Sequence, residues 1–153
     1  MSLLPRRGLY AIAAVIDVAV HARRGPVSAK VIAARHGLPP RHLEPVLQAL
    51  VHDRILRGVR GPHGGYELGR HGRQITVDDI LRAVEDVGQS DDADPLGSPV
   101  VATVVIPAVA EAERVFAATL AMVDVEELVR RAETAGESSV RGGLPELRRS
   151  HSL

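Results

Sequence analysis

Seven residues, Arg60-Gly61-Pro62-His63-Gly64-Gly65-Tyr66, put a guanidinium and an imidazole on a turn made of glycines and a proline. That grouping suits the holding of an anion, not the breaking of a bond. Glycine permits the unusual backbone angles of a tight tip and lets it approach another molecule closely. Taken alone, such a stretch is more often than not an ordinary surface hairpin. Elsewhere the chain has no glycine-rich phosphate loop, no Ser/His/Asp layout and no metal-ligand spacing, so an enzyme is not expected. His21, His36, His42, His52, His63 and His71 show no paired ligand spacing, and in a basic region they are expected at the surface or facing phosphate. Asp91, Asp92 and Asp94 read as a solvated loop, and no metal site or cofactor is assigned.

The elements around this turn give it a direction. Ile55–Val59 before it and Tyr66–Leu68 after it read as extended, which makes a hairpin whose tip can reach past the body of the domain. Before the hairpin, Ser28 is placed as an N-cap, with Val27 and Ile32 as a hydrophobic staple across the helix start. The helix Ala29–His36 stops at Gly37, where glycine can take the left-handed C-terminal position. A second helix begins at Pro40 or Arg41 and runs to about Asp53, with Leu43, Val46, Leu47 and Leu50 as its apolar stripe. Helix, glycine-containing turn, helix and then hairpin is the layout of a winged helix-turn-helix. Pro45 fits poorly: either the regular helix begins later, or its first turn is bent.

Charge is divided in the same way. The formal net charge of zero conceals twelve Lys/Arg against four Asp/Glu in residues 1–75, and seven against fifteen in the rest. Six of the seven histidines also lie in the basic half. Such an asymmetry points to a polyanion partner for the first half, though a solvated basic face would look the same. At 153 residues the chain suits one domain, or a small domain with an appended dimerisation element. No window has the length and apolarity of a membrane span and no signal peptide opens the chain, so a soluble cytoplasmic protein is expected, without membrane association. With no cysteine there is neither a disulfide nor a thiolate metal site.

The remaining elements frame this unit. Leu9–Ala22 is apolar almost throughout, with Tyr10 and Asp17 as its polar interruptions, and reads as a largely buried helix. Thr76 and Asp79 form a capping box for a helix carrying Leu81, Val84 and Val87 that Gly88 closes. Between Pro107 and Val123 a long helix repeats Val109, Ala112, Phe116, Leu120 and Val123 at three- and four-residue steps, as in a short coiled-coil seam. That seam could pack on its own domain, but little core remains for it, and a two-fold partner would bury it. Asp124 and Glu127 cap a last helix to about Ala135, ended by Gly136. The expected organisation is mainly α with a small β-hairpin wing: a winged helix-turn-helix domain (1–88), a linker loop (89–106), a dimerisation helix with a short C-terminal helix (107–136) and a disordered tail (137–153).

The order and spacing of Tyr10-Ala11, Val27-Ser28, Ile32-Ala33, Leu43-Glu44, Leu50, Arg60-Gly61-Pro62, Gly64-Gly65-Tyr66-Glu67-Leu68 and Ile75–Ile80 resemble one family of bacterial repressors. It is the Rrf-type winged-helix family that includes IscR, NsrR, RirA and CymR. The likeness is strong over roughly Leu3–Glu85 and weak through the long helix to Glu126–Val129. It implies a homodimer on a partly palindromic double-stranded DNA operator, with the helix from Pro40 in the major groove and the wing in the adjacent minor groove. The resemblance places Ser28, Arg41, His42, Glu44, Arg60, Gly61, His63, Gly64, Gly65 and Tyr66 at the DNA. It gives Arg60 the minor-groove contact, where negative potential is concentrated; a phosphate contact is the alternative. Arg41 can pair with guanine and Glu44 can accept from cytosine N4, each worth about 1–3 kcal/mol of discrimination. A salt bridge from Glu44 to a nearby arginine such as Arg41 is an equal alternative.

One departure from the family is large. Sensing members hold an iron–sulfur cluster through three cysteines in the segment matching Gln89–Thr103, and this chain has no cysteine at all. A cysteine-ligated cluster is excluded, so control by a small-molecule effector or a protein partner is expected in its place. A protein-interaction module that kept the winged fold without operator binding is the alternative function.

Overall fold

The computed structural model describes residues 4–88 and 98–141, with side chains through 136. Its first element, α1 (Arg6–Val20), is the spine of the core. Ala11, Ala14, Val15 and Val18 are completely or almost completely buried along it. Alanine at two of these positions lets neighbouring helices come close, which suits a core with few aromatic residues.

The next two helices follow the expected boundaries. In α2 (Ala29–His36), the Ser28 side chain accepts a hydrogen bond from the Val31 N–H at 3.2 Å. Gly37 ends the helix in the left-handed conformation, φ 60°. The third helix, α3 (Pro40–His52), buries Leu43, Val46, Leu47 and Leu50 against α1. Pro45 lies inside it on the exposed side. The His42 N–H donates to the Pro39 carbonyl at 3.0 Å, a three-residue step. Thus the helix starts at Pro40 with a tightened first turn, and water can serve the carbonyl that Pro45 leaves without a donor.

The hairpin consists of β1 (Leu56–Val59) and β2 (Gly65–Leu68), antiparallel, with Leu56 opposite Leu68 and Gly58 opposite Tyr66. After it, α4 (Val77–Ala83) opens with the full capping box: the Asp79 N–H donates to Thr76 Oγ1 at 3.1 Å and the Thr76 N–H to Asp79 Oδ2 at 3.0 Å. It ends at Ala83 rather than running on to Gly88, which stands five residues later with φ 73°. Val84 is nevertheless fully buried, so the apolar pattern continued beyond the regular helix.

Two expected boundaries move. Residues 99–105, assigned to a linker loop, are already helical, with a π-type turn over Val101–Val105 leading into α5 (Ile106–Leu120). Pro107 accounts for that turn, because proline has no N–H for the carbonyl one turn back and its ring crowds that carbonyl, and a wider turn makes room. At the other end, α6 (Val125–Arg141) passes straight through Gly136. A mid-helix glycine costs about 1 kcal/mol relative to alanine but does not force a stop. Residues 137–141, expected in the tail, are therefore helical, and residues 89–97 and 142–153, with Asp91, Asp92 and Asp94, lie outside the described residues.

The last helix belongs to the body of the domain. Its cap forms as expected, with the Glu127 N–H donating to Asp124 Oδ1 at 2.9 Å. The Val77 N–H donates to the Val123 carbonyl and the Val125 N–H to the Ile75 carbonyl, both at 2.9 Å, and Val125 is fully buried. By contrast, α5 touches the body mainly through α4.

Candidate nucleic-acid interface

The wing is held to the start of α2 by the backbone. Val27 and Tyr66 exchange two hydrogen bonds, Val27 N–H to Tyr66 carbonyl at 3.0 Å and Tyr66 N–H to Val27 carbonyl at 2.8 Å. A side chain at position 65 would put its Cβ 2.5 Å from the Val27 carbonyl carbon, so only glycine lets the strand lie this close. Gly64 is equally constrained: a Cβ there would sit 2.2 Å from the Val59 carbonyl oxygen. The turn closes with the Gly64 N–H donating to the Gly61 carbonyl at 3.0 Å, with Gly61 at φ 114°. The glycines shape the wing and its seat, and the cations at its tip stay clear of it.

Arg60 and His63 are both exposed, and neither has an ion-pair or hydrogen-bond partner among the described residues. Beside the tip, Pro62, His63 and Gly64 share a cleft with Arg24, Ser28, Val31 and Arg35, which puts the wing next to the N-terminus of α2. The Ser28 oxygen caps that helix, leaving its hydroxyl proton to donate outward. Tyr66 is half-buried and packs on the core, so its ring is a prop for the wing more than a free contact.

Arg41, His42 and Glu44 are all exposed on the first turn and a half of α3. No ion pair joins Glu44 to Arg41 or to any other described residue, so the carboxylate is free for an outside donor. Arg41 and His42 line a shallow cleft with Arg6, Arg7 and Tyr10 of α1, which makes a basic cluster at the head of α3. Other arginines are neutralised within the fold: Arg57 by Glu67, Arg73 by Glu126, Arg82 by Asp78, and Arg130 and Arg131 by Glu127. Among the described residues positive charge is left unpaired at the head of α3, at the wing tip and in the turn before α2, and also at Arg54 and Arg114.

One constellation escaped the reading of the sequence. Asp17, in the middle of apolar α1, is buried and accepts from Arg35 Nη1 at 2.6 Å on Oδ1 and from His36 Nε2 at 2.8 Å on Oδ2, while His21 Nδ1 lies 3.1 Å from Oδ1 and 2.8 Å from the Asp17 carbonyl. His36 is exposed and His21 half-buried, so the expected surface placement holds for His36, but both rings also lie against this carboxylate. The signal was present, since a lone acid in a buried helix needs cationic or hydrogen-bonding partners, and Arg35-His36 ends the next helix. Asp17 locks α1 to the first helix of the helix-turn-helix.

The expected dimer seam is split by the fold. Phe116, Leu120 and Val123 are half-buried, and Phe116 and Leu120 line a cleft against α4. Val109 and Ala112 are exposed on the part of α5 that runs beyond this seat.

Comparison with known proteins agrees with this architecture. The Rrf2 family model, described as iron-dependent transcriptional regulators, matches residues 4–131. The chain is 40% identical to IscR of Sodalis glossinidius over 83 residues, covering 54% of this chain and 50% of that relative. IscR of Pectobacterium atrosepticum is 37% identical over 83 residues, 54% of this chain and 51% of that relative. The chain spans about half the length of these curated relatives. Among solved structures, IscR of T. potens superposes with a TM-score of 0.70 at 30% identity, covering 88% of this chain and 90% of that one. CymR of B. subtilis, a global cysteine regulator, shares the fold with a TM-score of 0.64 at 24% identity, covering 86% of this chain and 98% of that one.

The family description implies iron, and the residues here do not fit a cysteine-ligated centre. The chain supplies no thiolate, and among the described residues no three His, Asp or Glu side chains group so as to hold a metal. With the matched segment reaching from the start of α1 into α6 and the winged helix-turn-helix intact, the chain belongs to the Rrf2 family of transcriptional regulators.

Proposed function

We propose that this chain is a homodimeric repressor that reads a partly palindromic double-stranded DNA operator and is controlled by something other than a cysteine-ligated cluster. The observation that carries the reading is the placement of two free guanidinium groups. Among the described residues Arg41 and Arg60 are exposed and unpaired at the head of α3 and on the wing, whereas Arg35, Arg57, Arg73, Arg82, Arg130 and Arg131 are engaged by acids. Free guanidinium groups on a helix start and on a slim turn suit base edges in the major groove and the narrow minor groove respectively. Glu44, free of partners among the described residues, adds an acceptor for a cytosine amino group.

The dimer is supported by the stretch leading into α5. Val100, Val104, Val105, Ile106 and Val109 are each 41–62% exposed along one helical run, more large apolar surface than a monomer normally leaves to water. A second copy laid across this run would bury it and set two winged domains side by side, as a two-fold operator requires.

Binding to genomic DNA fragments at several salt concentrations tests this function. One fragment should be selected over random DNA, with affinity falling linearly in a plot of log K against log salt. If no fragment is preferred, the protein is not an operator-reading regulator, and an interaction module that kept the fold takes its place.

A further inference from the structure

Three arginines meet at the head of α3 with no acid among them. Arg6 and Arg7 of α1 line one shallow cleft with Arg41 and His42 of α3, and no described carboxylate borders it. Arg6 and Arg41 are exposed, and neither has an ion-pair or hydrogen-bond partner among the described residues. Gathering like charges at one place is unfavourable, and an anion set between them relieves the repulsion.

The first turns of α1 are arranged for such an anion. Arg6 and Tyr10 stand four residues apart on this helix, so they share one face. Tyr10 lines the same cleft half-buried, and its hydroxyl has no hydrogen-bond partner among the described residues. A tyrosine at the border of a core normally gives its O–H an acceptor. The first turn of α1 also contains no acid, and Pro5 has no side chain to cap it. Its free N–H groups therefore add partial positive charge behind Arg6.

The dimensions of DNA say which anion this is. An α-helix with its side chains is about 10–12 Å across and the major groove about 12 Å wide, so the head of α3 would fill the groove. An element packed beside α3 then meets the rim of the groove, where the phosphates stand, and not the base edges. α1 packs beside α3, and Arg6 and Tyr10 adjoin Arg41 and His42.

We propose that Arg6 and Tyr10 seat a backbone phosphate of DNA, Arg6 by its charge and Tyr10 by donating its hydroxyl hydrogen. The seat rests on the operator reading above and extends the interface to α1, outside the helix-turn-helix and the wing. Free phosphate shares this chemistry, but a shallow, open cleft suits a phosphate that a duplex presents. Such a contact sets affinity and register and carries no sequence information.

The test is fluorescence anisotropy of the full chain with the selected fragment and with a random duplex, at several salt concentrations. Arg6→Gln should weaken both by about tenfold at low salt and make the salt slope shallower by about 0.9 per protomer. Tyr10→Phe keeps every charge, so it should weaken both by about threefold to tenfold with the slope unchanged. Both variants should keep the wild-type thermal midpoint, because Arg6 is exposed and phenylalanine retains the ring. Arg54→Gln is the control for net charge: Arg54 is equally exposed and unpaired but lies past the far end of α3, beside Asp53 and Asp79. It should leave both affinities unchanged, and a loss equal to that of Arg6→Gln would overturn the seat. A loss by Arg6→Gln on the selected fragment alone would mark a base contact and overturn it too. Inorganic phosphate at constant ionic strength should not compete; if it displaced DNA from wild type but not from Arg6→Gln, the site would belong to free phosphate. If no fragment is preferred, the operator reading fails while the losses on random DNA still decide the seat. A preferred fragment bound with wild-type affinity by both α1 variants would remove the seat alone.

Discussion

Val27 and Tyr66 form a two-hydrogen-bond bridge, at 3.0 and 2.8 Å, that ties the wing to the residue before the α2 cap. Gly65 makes the bridge possible, since a Cβ at that position would overlap the Val27 backbone. Gly65→Ala should therefore loosen the wing without opening the helical core. The expected outcome is a loss of about 1–3 kcal/mol in chemical denaturation, the usual cost of forcing a strained contact, together with faster amide exchange at Tyr66. Wild-type protection at Tyr66 in this variant would show that the wing does not depend on the glycine.

Arg60 has no partner among the described residues, so its removal should leave stability within about 0.5 kcal/mol of wild type. Operator affinity should fall by about 1–3 kcal/mol, and the salt slope should become shallower if the contact is to phosphate. A fall restricted to sequences with a narrow minor groove would instead mark shape reading by Arg60. Unchanged affinity would mean that the wing does not touch DNA.

The uncovered apolar run before and within α5 makes a clear claim about assembly. Val105→Asp with Val109→Asp should yield monomers by sedimentation velocity while the winged domain keeps its thermal transition, because both side chains are exposed in the single chain. Phe116→Asp would be a poorer probe, since Phe116 also packs in the cleft beside α4. A surviving dimer in the double variant would move the interface elsewhere.

Asp17 holds Arg35, His36 and His21 on one buried carboxylate. Asp17→Asn keeps the shape but removes the anion, and should cost about 1–3 kcal/mol in urea denaturation. Part of the interaction is screened, because all three partners reach solvent. The loss should be specific to the α1–α2 junction, with amide protection falling at the end of α2 and staying unchanged in α6.

In α6, Arg130 first and Arg131 second hold the Glu127 carboxyl below its usual value of 4.5 by hydrogen bonding. A depressed carboxylate stabilises the fold above its unfolded value, and the contribution disappears as pH falls through the folded one. Acidification from neutrality should therefore loosen the first turns of α6 only below the ordinary carboxylate range, and Glu127→Gln should remove that pH dependence. Amide exchange along α6 as a function of pH measures it; a midpoint at or above 4.5 would contradict the assignment.

Local patterns in the chain determined a good deal by themselves. Ser28, Gly37, Thr76 with Asp79, and Asp124 fixed where helices start or stop, because a cap is satisfied by groups within a few residues of it. The glycine-rich turn and its extended flanks specified the wing for the same reason. Local signals misled where glycine was read as a command: Gly136 lies within α6, since a residue that permits a left-handed stop does not impose one. Pro107 likewise widened a helix that had already begun, and did not start one.

Only the tertiary structure decided which charges are spent inside the fold and which remain available. Asp17, Arg35 and His36 come from two helices, and no spacing along the chain announces that they meet. The same holds for Glu44, whose freedom from Arg41 depends on side-chain placement around the bent start of α3, and for Phe116, which the fold turns toward α4 while Val109 stays uncovered. Apolar periodicity says that a face will be buried; what buries it is a contact between distant segments, and that is settled only when the helices pack.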